Sequence, residues 1–99
     1  MTLRIRPKAH LDLEDIAVII GTHRPESARL FLSSAARMFE LLSRSPHLGA
    51  GGMVDAHPDW RLLSIRRFPN YVIVYSPQTD GVEILRVVDG RRDLPSLLS

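Results

Sequence analysis

The chain has 99 residues, enough for one hydrophobic core and one domain spanning residues 1–99. Hydrophobic residues make up 44% of it and charged residues 24%, which excludes a disordered chain and places it among ordinary globular domains. There is no cysteine, so disulfides and thiolate metal sites are excluded, and the formal net charge of +2 tolerates an acidic partner without demanding one. Lys8 is the sole lysine among 13 Lys and Arg residues, so nearly all positive charge sits on guanidinium groups. These stay ionised at any relevant pH and offer planar donor forks to carboxylates and phosphates. No apolar run is long enough to cross a bilayer, and no apolar segment follows the early basic residues Arg4, Arg6 and Lys8 as in a secretory leader. A cytoplasmic protein is expected.

In chain order, Thr2 to Arg6 alternates like a short strand, and Pro7 closes it. Leu11, Leu13, Ile16, Ala17, Ile19 and Ile20 then recur near helical spacing. Asp12, Glu14 and Asp15 lie between them in what read as the first turns, where the helix dipole favours negative charge. Gly21 is the expected stop. A second helix is expected from Pro25, with Ala28, Phe31, Ala35, Met38 and Leu42 stepping by three and four, and Leu32 and Phe39 widening the stripe. The linker Gly21 to Arg24 is short, so the two helices should form an antiparallel hairpin.

Ser45 to Asp59 reads as a connector whose glycines match no phosphate-binding pattern. Three strands follow. Trp60 to Arg67 alternates only in part. Phe68-Pro69-Asn70 has turn chemistry, and Tyr71 to Tyr75 is strongly β-prone. Pro77 to Gly81 forms the next turn, and Val82 to Val88 is the last strand. Simple alternation puts Leu85 and Val87 on one face of it, with Ile84, Arg86 and Val88 on the other. Asp93 to Ser99 could close in a helical turn led by Asp93 and Pro95. The expected fold is α+β: an N-terminal strand and a helical hairpin packed on a curved antiparallel sheet, in the order β-α-α-β-β-β.

Several residues have both a structural and a binding reading. Arg86, set in an apolar strand, either pairs with a carboxylate such as Glu83 or Asp93 or lies on an exposed face. Arg92 and Asp93 either pair locally or bind. Arg66 and Arg67 flank a hairpin, solvated or facing an acidic partner. Tyr71 and Tyr75 share a strand face, so at least one belongs to the core. Trp60 is a core anchor or a contact residue. His10, His23, His47 and His57 lack the spacing of a metal pair, so no metal or other cofactor is expected.

The residues Leu13-Glu-Asp-Ile-Ala17, Pro25 with Ala28 and Phe31, and Ser45-Pro-His-Leu-Gly49 resemble the ParE branch of the RelE/ParE toxins. More specific are Arg66-Arg-Phe-Pro-Asn-Tyr-Val-Ile-Val-Tyr75 and Val82-Glu-Ile-Leu-Arg-Val-Val-Asp-Gly-Arg-Arg-Asp-Leu94. The resemblance covers nearly the whole chain and implies the element order read from periodicity. It implies a toxin of a type II toxin–antitoxin system, silenced by a ParD-like antitoxin with a ribbon-helix-helix part. It also implies one of two targets: DNA gyrase for ParE-like members, or ribosome-bound messenger RNA for RelE-like nucleases. RNA cleavage needs a base, an acid and cations around the phosphorane. Arg92 stands where the resemblance places a last-strand arginine. Val72 occupies a position often filled by arginine, and Leu97 and Leu98 stand where a tail acid would be. Gyrase inhibition without direct nucleic-acid binding is therefore the expectation. The alternatives are a nuclease assembled from Arg61, Arg66 and His57, and a non-toxic member that only binds antitoxin. The resemblance nominates Arg61, Arg66, Arg67, Tyr71, Arg86, Arg92 and Asp93 as antitoxin- or target-binding residues, and no catalytic ones.

Overall fold

A computed structural model of the chain describes residues 2–92 and 94–98. Its elements are β1 (Thr2–Ile5), α1 (Pro7–Gly21), α2 (Pro25–Arg44), β2 (Ala50–Gly51), β3 (Arg61–Ile65), β4 (Phe68–Gln78), β5 (Gly81–Asp89) and α3 (Leu94–Leu98). The strands form one five-stranded sheet in the order β1-β5-β4-β3-β2. The expected α+β fold is present, with β3, β4 and β5 as an antiparallel meander. β1 joins its free edge parallel to β5, which makes the sheet mixed. That approach depends on Gly81, because a Cβ there would run into the backbone carbonyl of Thr2.

Both long helices open on proline at the first position, where a missing N–H costs nothing. In α2, Glu26 lies in the first turn and Arg44 in the last, each complementing the dipole. The acids of α1 do not act this way: the helix begins at Pro7, so Asp12, Glu14 and Asp15 lie beyond its first turn. α2 buries Phe31, Ala35, Phe39 and Leu42 against the sheet, while Leu32, expected in the stripe, is exposed. α1 is rotated from the expected orientation. Its buried residues are Ala9, Asp12 and Ile16, and Leu11 and Ile19 face outward. Phe31 meets Phe68 edge-on at 5.4 Å and Tyr71 at 5.5 Å, closing the core at one end of the sheet.

Three strand expectations shift. The turn between β3 and β4 is Arg66-Arg67, because Ile65 pairs with Phe68 and Arg67 takes a left-handed φ of 74°. Phe68 to Asn70 begins β4 instead. Pro69 is tolerated there because the register breaks between Ser64 and Ile65, leaving it outside the regular ladder. The next turn contracts to Thr79-Asp80, with Gln78 paired to Gly81. In β5 the register also breaks: Tyr75 pairs with Ile84 but Val74 with Arg86, so Leu85 is an inserted residue. The insertion splits both expected faces, parting Val87 from Leu85 and Val88 from Ile84. Val82, Ile84 and Val87 join the core under the helices, whereas Leu85 and Val88 face the opposite side.

That opposite side carries a second, smaller core. Val54 from the connector, Val74, Leu85, Val88 and Leu98 are buried there, with Trp60, Leu62, Val72 and Leu94 packed around them. The sheet is thus covered on both faces. The connector itself is anchored. Its Ala50 and Gly51 form β2 against β3, and the Gly49 amide donates to the buried Tyr75 hydroxyl at 2.8 Å. A side chain at Gly49 would collide with that hydroxyl and with the Leu62 carbonyl. Burial pushes the Tyr75 phenol pKa up, against smaller opposing effects of the Gly49 amide and the Arg61 charge. Tyr75→Phe removes the acceptor and leaves a buried amide unpaired, a loss of about 1–2 kcal/mol of folding stability measurable by urea denaturation.

Candidate functional site

The clearest polar construction joins α1 to β5. Arg86 donates through Nε to Asp12 Oδ2 at 2.7 Å and through a terminal nitrogen to Oδ1 at 3.1 Å, a two-point pairing of guanidinium and carboxylate. The same carboxylate accepts the Val87 amide at 3.0 Å. β1 ends opposite Ile84, so the β5 edge beyond it has no strand partner, and Asp12 supplies the missing acceptor. Glu83, one carboxylate expected for Arg86, pairs with Arg6 at 3.3 Å instead. Asp93, the other, lies outside the described residues. Asp12 was legible as an anomaly, because it falls in helical register with Ala9 and Ile16 while an arginine interrupts an apolar strand.

Around this pair lies a groove of about 340 Å³, lined by Lys8, Asp15, Ile16, Ile19, Tyr71, Val88, Asp89 and Arg92 among others. Tyr71, Arg86 and Arg92, three of the sequence-nominated residues, therefore come together on the outer flank of α1. Carboxylates balance the cations here: Asp12 holds Arg86, and Asp89 holds Arg91 at 2.8 Å. The Arg91 side chain, followed by its backbone amide, holds the Asp89 carboxyl well below the usual range, at about 2.

A second groove runs along the other helix. It measures about 590 Å³ and is lined by Leu30, Ser33, Ser34, Arg37, Met38, Leu41, Leu48, Arg66 and Arg67. Arg66 and Arg67 reach it from the β3–β4 turn. Arg37 of α2 lines the same groove. No carboxylate lines this groove, and Arg37, Arg66 and Arg67 form no ion pair among the described residues.

The remaining nominated residue, Arg61, has a structural task. It donates to the carbonyls of Gly49 at 2.6 Å and His47 at 3.2 Å, pinning the connector to β3. His57 stacks on Trp60 at 3.7 Å, beside the Arg61 end of β3, while Arg66 lies beyond the other end. The three groups of the alternative nuclease are thus spread along the strand. Val72 packs with the second core, and Leu98 is buried in it. Among the described residues no three His, Cys, Asp or Glu side chains are grouped to hold a metal ion, and no helix is long and apolar enough to cross a membrane.

The protein is a small α+β domain with a groove on each flank of its helical hairpin, one of mixed charge and one edged by arginines that form no ion pair among the described residues. The family described as ParE toxin of type II toxin–antitoxin system, parDE, matches residues 3–94, and the chain belongs to that family. It is a toxin of a type II toxin–antitoxin system by family. A solved structure described as a chromosomal ParDE TA system from P. aeruginosa is similar with a TM-score of 0.75 and 24% identity. The match covers 90% of this chain and 95% of that one, which shows the shared fold. No curated protein matches the sequence.

Two outcomes test the site geometry. Asp12→Ala removes the two-point pairing with Arg86 and the acceptor of the Val87 amide; with Arg86 22% exposed, the cost is about 2–4 kcal/mol in denaturant unfolding. Asp12→Asn, which keeps an acceptor, costs less. The Asp89 carboxyl, followed by carbon-detected NMR, titrates near 2. Its folded pKa lies below the unfolded value, so the stability it contributes is present above about 4 and is lost as pH falls through 2.

Proposed function

We propose that the chain inhibits DNA gyrase in the cytoplasm without cleaving RNA, and that a cognate antitoxin with a ribbon-helix-helix part holds it silent. The observation that carries this reading is the separation of the residues a metal-free nuclease would have to combine. Arg61 is occupied by connector carbonyls, His57 by Trp60, and Arg66 lies at the far end of β3. A base, an acid and a phosphate clamp acting together need contact distances, not the length of a strand. Antitoxin neutralisation is supported by surfaces that could receive a folding-upon-binding segment. Of the five nominated arginines, Arg66, Arg67 and Arg92 keep exposed side chains. Arg86 is engaged by Asp12 and acts through the shape of the groove.

A ribonuclease reading is favoured by one feature, the convergence of Tyr71, Lys8, Arg86 and Arg92 on the groove beside α1. The carboxylates of Asp12, Asp15 and Asp89 line the same walls and repel a phosphate backbone, so this reading stands second.

Expression without antitoxin, followed by pulse labelling, separates the readings. Loss of DNA synthesis with SOS induction is the expected result. Loss of protein synthesis with cut messages would replace it with the nuclease reading, and normal growth would leave a non-toxic antitoxin-binding member.

A further inference from the structure

We propose that the cavity under the connector, on the face of the sheet turned away from α1 and α2, is a binding site for a small amphiphilic amine. Its apolar body would lie between the connector and α3, and its ammonium group would meet Asp55 at the rim. The inference goes beyond the proposed function and depends on neither the gyrase nor the antitoxin reading.

Three observations carry it. The first is the lining. The cavity measures about 340 Å³, and among the described residues its walls are Met53 to Ala56 of the connector, Leu62 of β3, and Leu94 and Leu98 of α3. All of these except Asp55 are apolar, whereas the grooves beside α1 and α2 each carry three or more charged side chains. A mostly apolar cavity with a polar group set into it is how sites for small ligands are built. Its volume is roughly twice that of a cavity that stays dry and takes up benzene, so two fused rings fit.

The second is charge. Asp55 forms no ion pair among the described residues. The next arginine along the chain, Arg61, is spent on the carbonyls of Gly49 and His47. A carboxylate at the mouth of an apolar cavity attracts a cation more strongly than it would in open water, and it repels an anion. The site therefore selects amines over acids of the same shape.

The third is the construction of the wall. The connector is fastened on both sides of the cavity. Gly49 and Ala50-Gly51 tie it to Tyr75 and β3, and Asp59 accepts a hydrogen bond from the Ser76 hydroxyl at 3.1 Å. Between these ties only Val54 is buried, and Met53 stands 63% exposed. An unbranched thioether in that place adapts to the shape of a guest. The walls are short, a few connector residues and a helix of 5 residues, so the cavity suits a small molecule rather than a peptide segment.

The test uses the full chain and three probes of one shape: naphthylmethylamine, naphthylmethanol and naphthoate. Each is titrated into the protein at neutral pH while the methyl signals of Met53, Leu62 and Leu98 are followed by carbon–proton NMR. The expected result is saturable movement of these signals, with the amine binding at least about tenfold tighter than naphthoate and the alcohol between them. Asp55→Asn should bring the amine and naphthoate to within about threefold of each other. Ala56→Trp, which fills the cavity from an exposed position, should weaken the amine by about tenfold or more and leave the thermal midpoint in place. The inference is overturned if no probe moves those methyl signals saturably, or if naphthoate binds as tightly as the amine. An amine preference that survives Asp55→Asn, or full affinity in Ala56→Trp, puts the guest elsewhere and overturns it equally.

Discussion

The carboxylate of Asp12 holds α1 in register with the sheet. β1 is four residues long and stops opposite Ile84, so the outer edge of β5 would otherwise expose an unsatisfied amide inside the molecule. Asp12 accepts that amide and also binds Arg86, so a single side chain fixes α1 along β5 and sets its rotation. The rotation explains why Leu11, Val18 and Ile19 stay outside although they are aliphatic. Turning them inward would withdraw Asp12 from its two-point pairing with Arg86 and from the Val87 amide, which costs more than exposing a few aliphatic side chains.

The inserted Leu85 has a similar reach. One extra residue in β5 changes the parity of the strand, so that Val87 enters the helical core and Val88 the second one. The sheet can therefore carry an apolar layer on both faces. The connector and α3 cover the back through Val54, Leu94 and Leu98, and Arg61 and Tyr75 tie the connector down through the backbone around Gly49. Polar side chains here satisfy backbone groups that secondary structure leaves open, a recurrent use of buried hydrogen bonds.

Function follows from what this framework leaves uncommitted. One groove lies beside α1 and β5 and another between α2 and the β3–β4 turn. On the α1 flank three aspartates line the groove together with the cations; no carboxylate lines the groove on the α2 flank. The same residue type thus plays three parts. Arg86 and Arg61 are internal struts, Arg4, Arg6 and Arg91 form surface pairs, and Arg37, Arg66 and Arg67 form no ion pair among the described residues.

The sequence by itself determined the fold class, the two proline-led helices, the β3–β4–β5 meander and the family. Those rest on local signals: apolar spacing, proline at helix starts and the strand-specific segments around Tyr71 and Ile84. It also marked Arg66, Arg67, Tyr71, Arg86 and Arg92 as notable. Only the tertiary structure decided which of them are free. Whether an arginine is a strut or a contact depends on an acceptor many residues away in sequence, as Asp12 is from Arg86 and Gly49 from Arg61. Periodicity cannot see such pairings, nor a one-residue insertion such as Leu85, because both are set by how strands and helices meet across the fold. Arg37 shows the same limit from the other side: unremarkable on its own helix, it gains its meaning from a turn that brings Arg66 and Arg67 beside it.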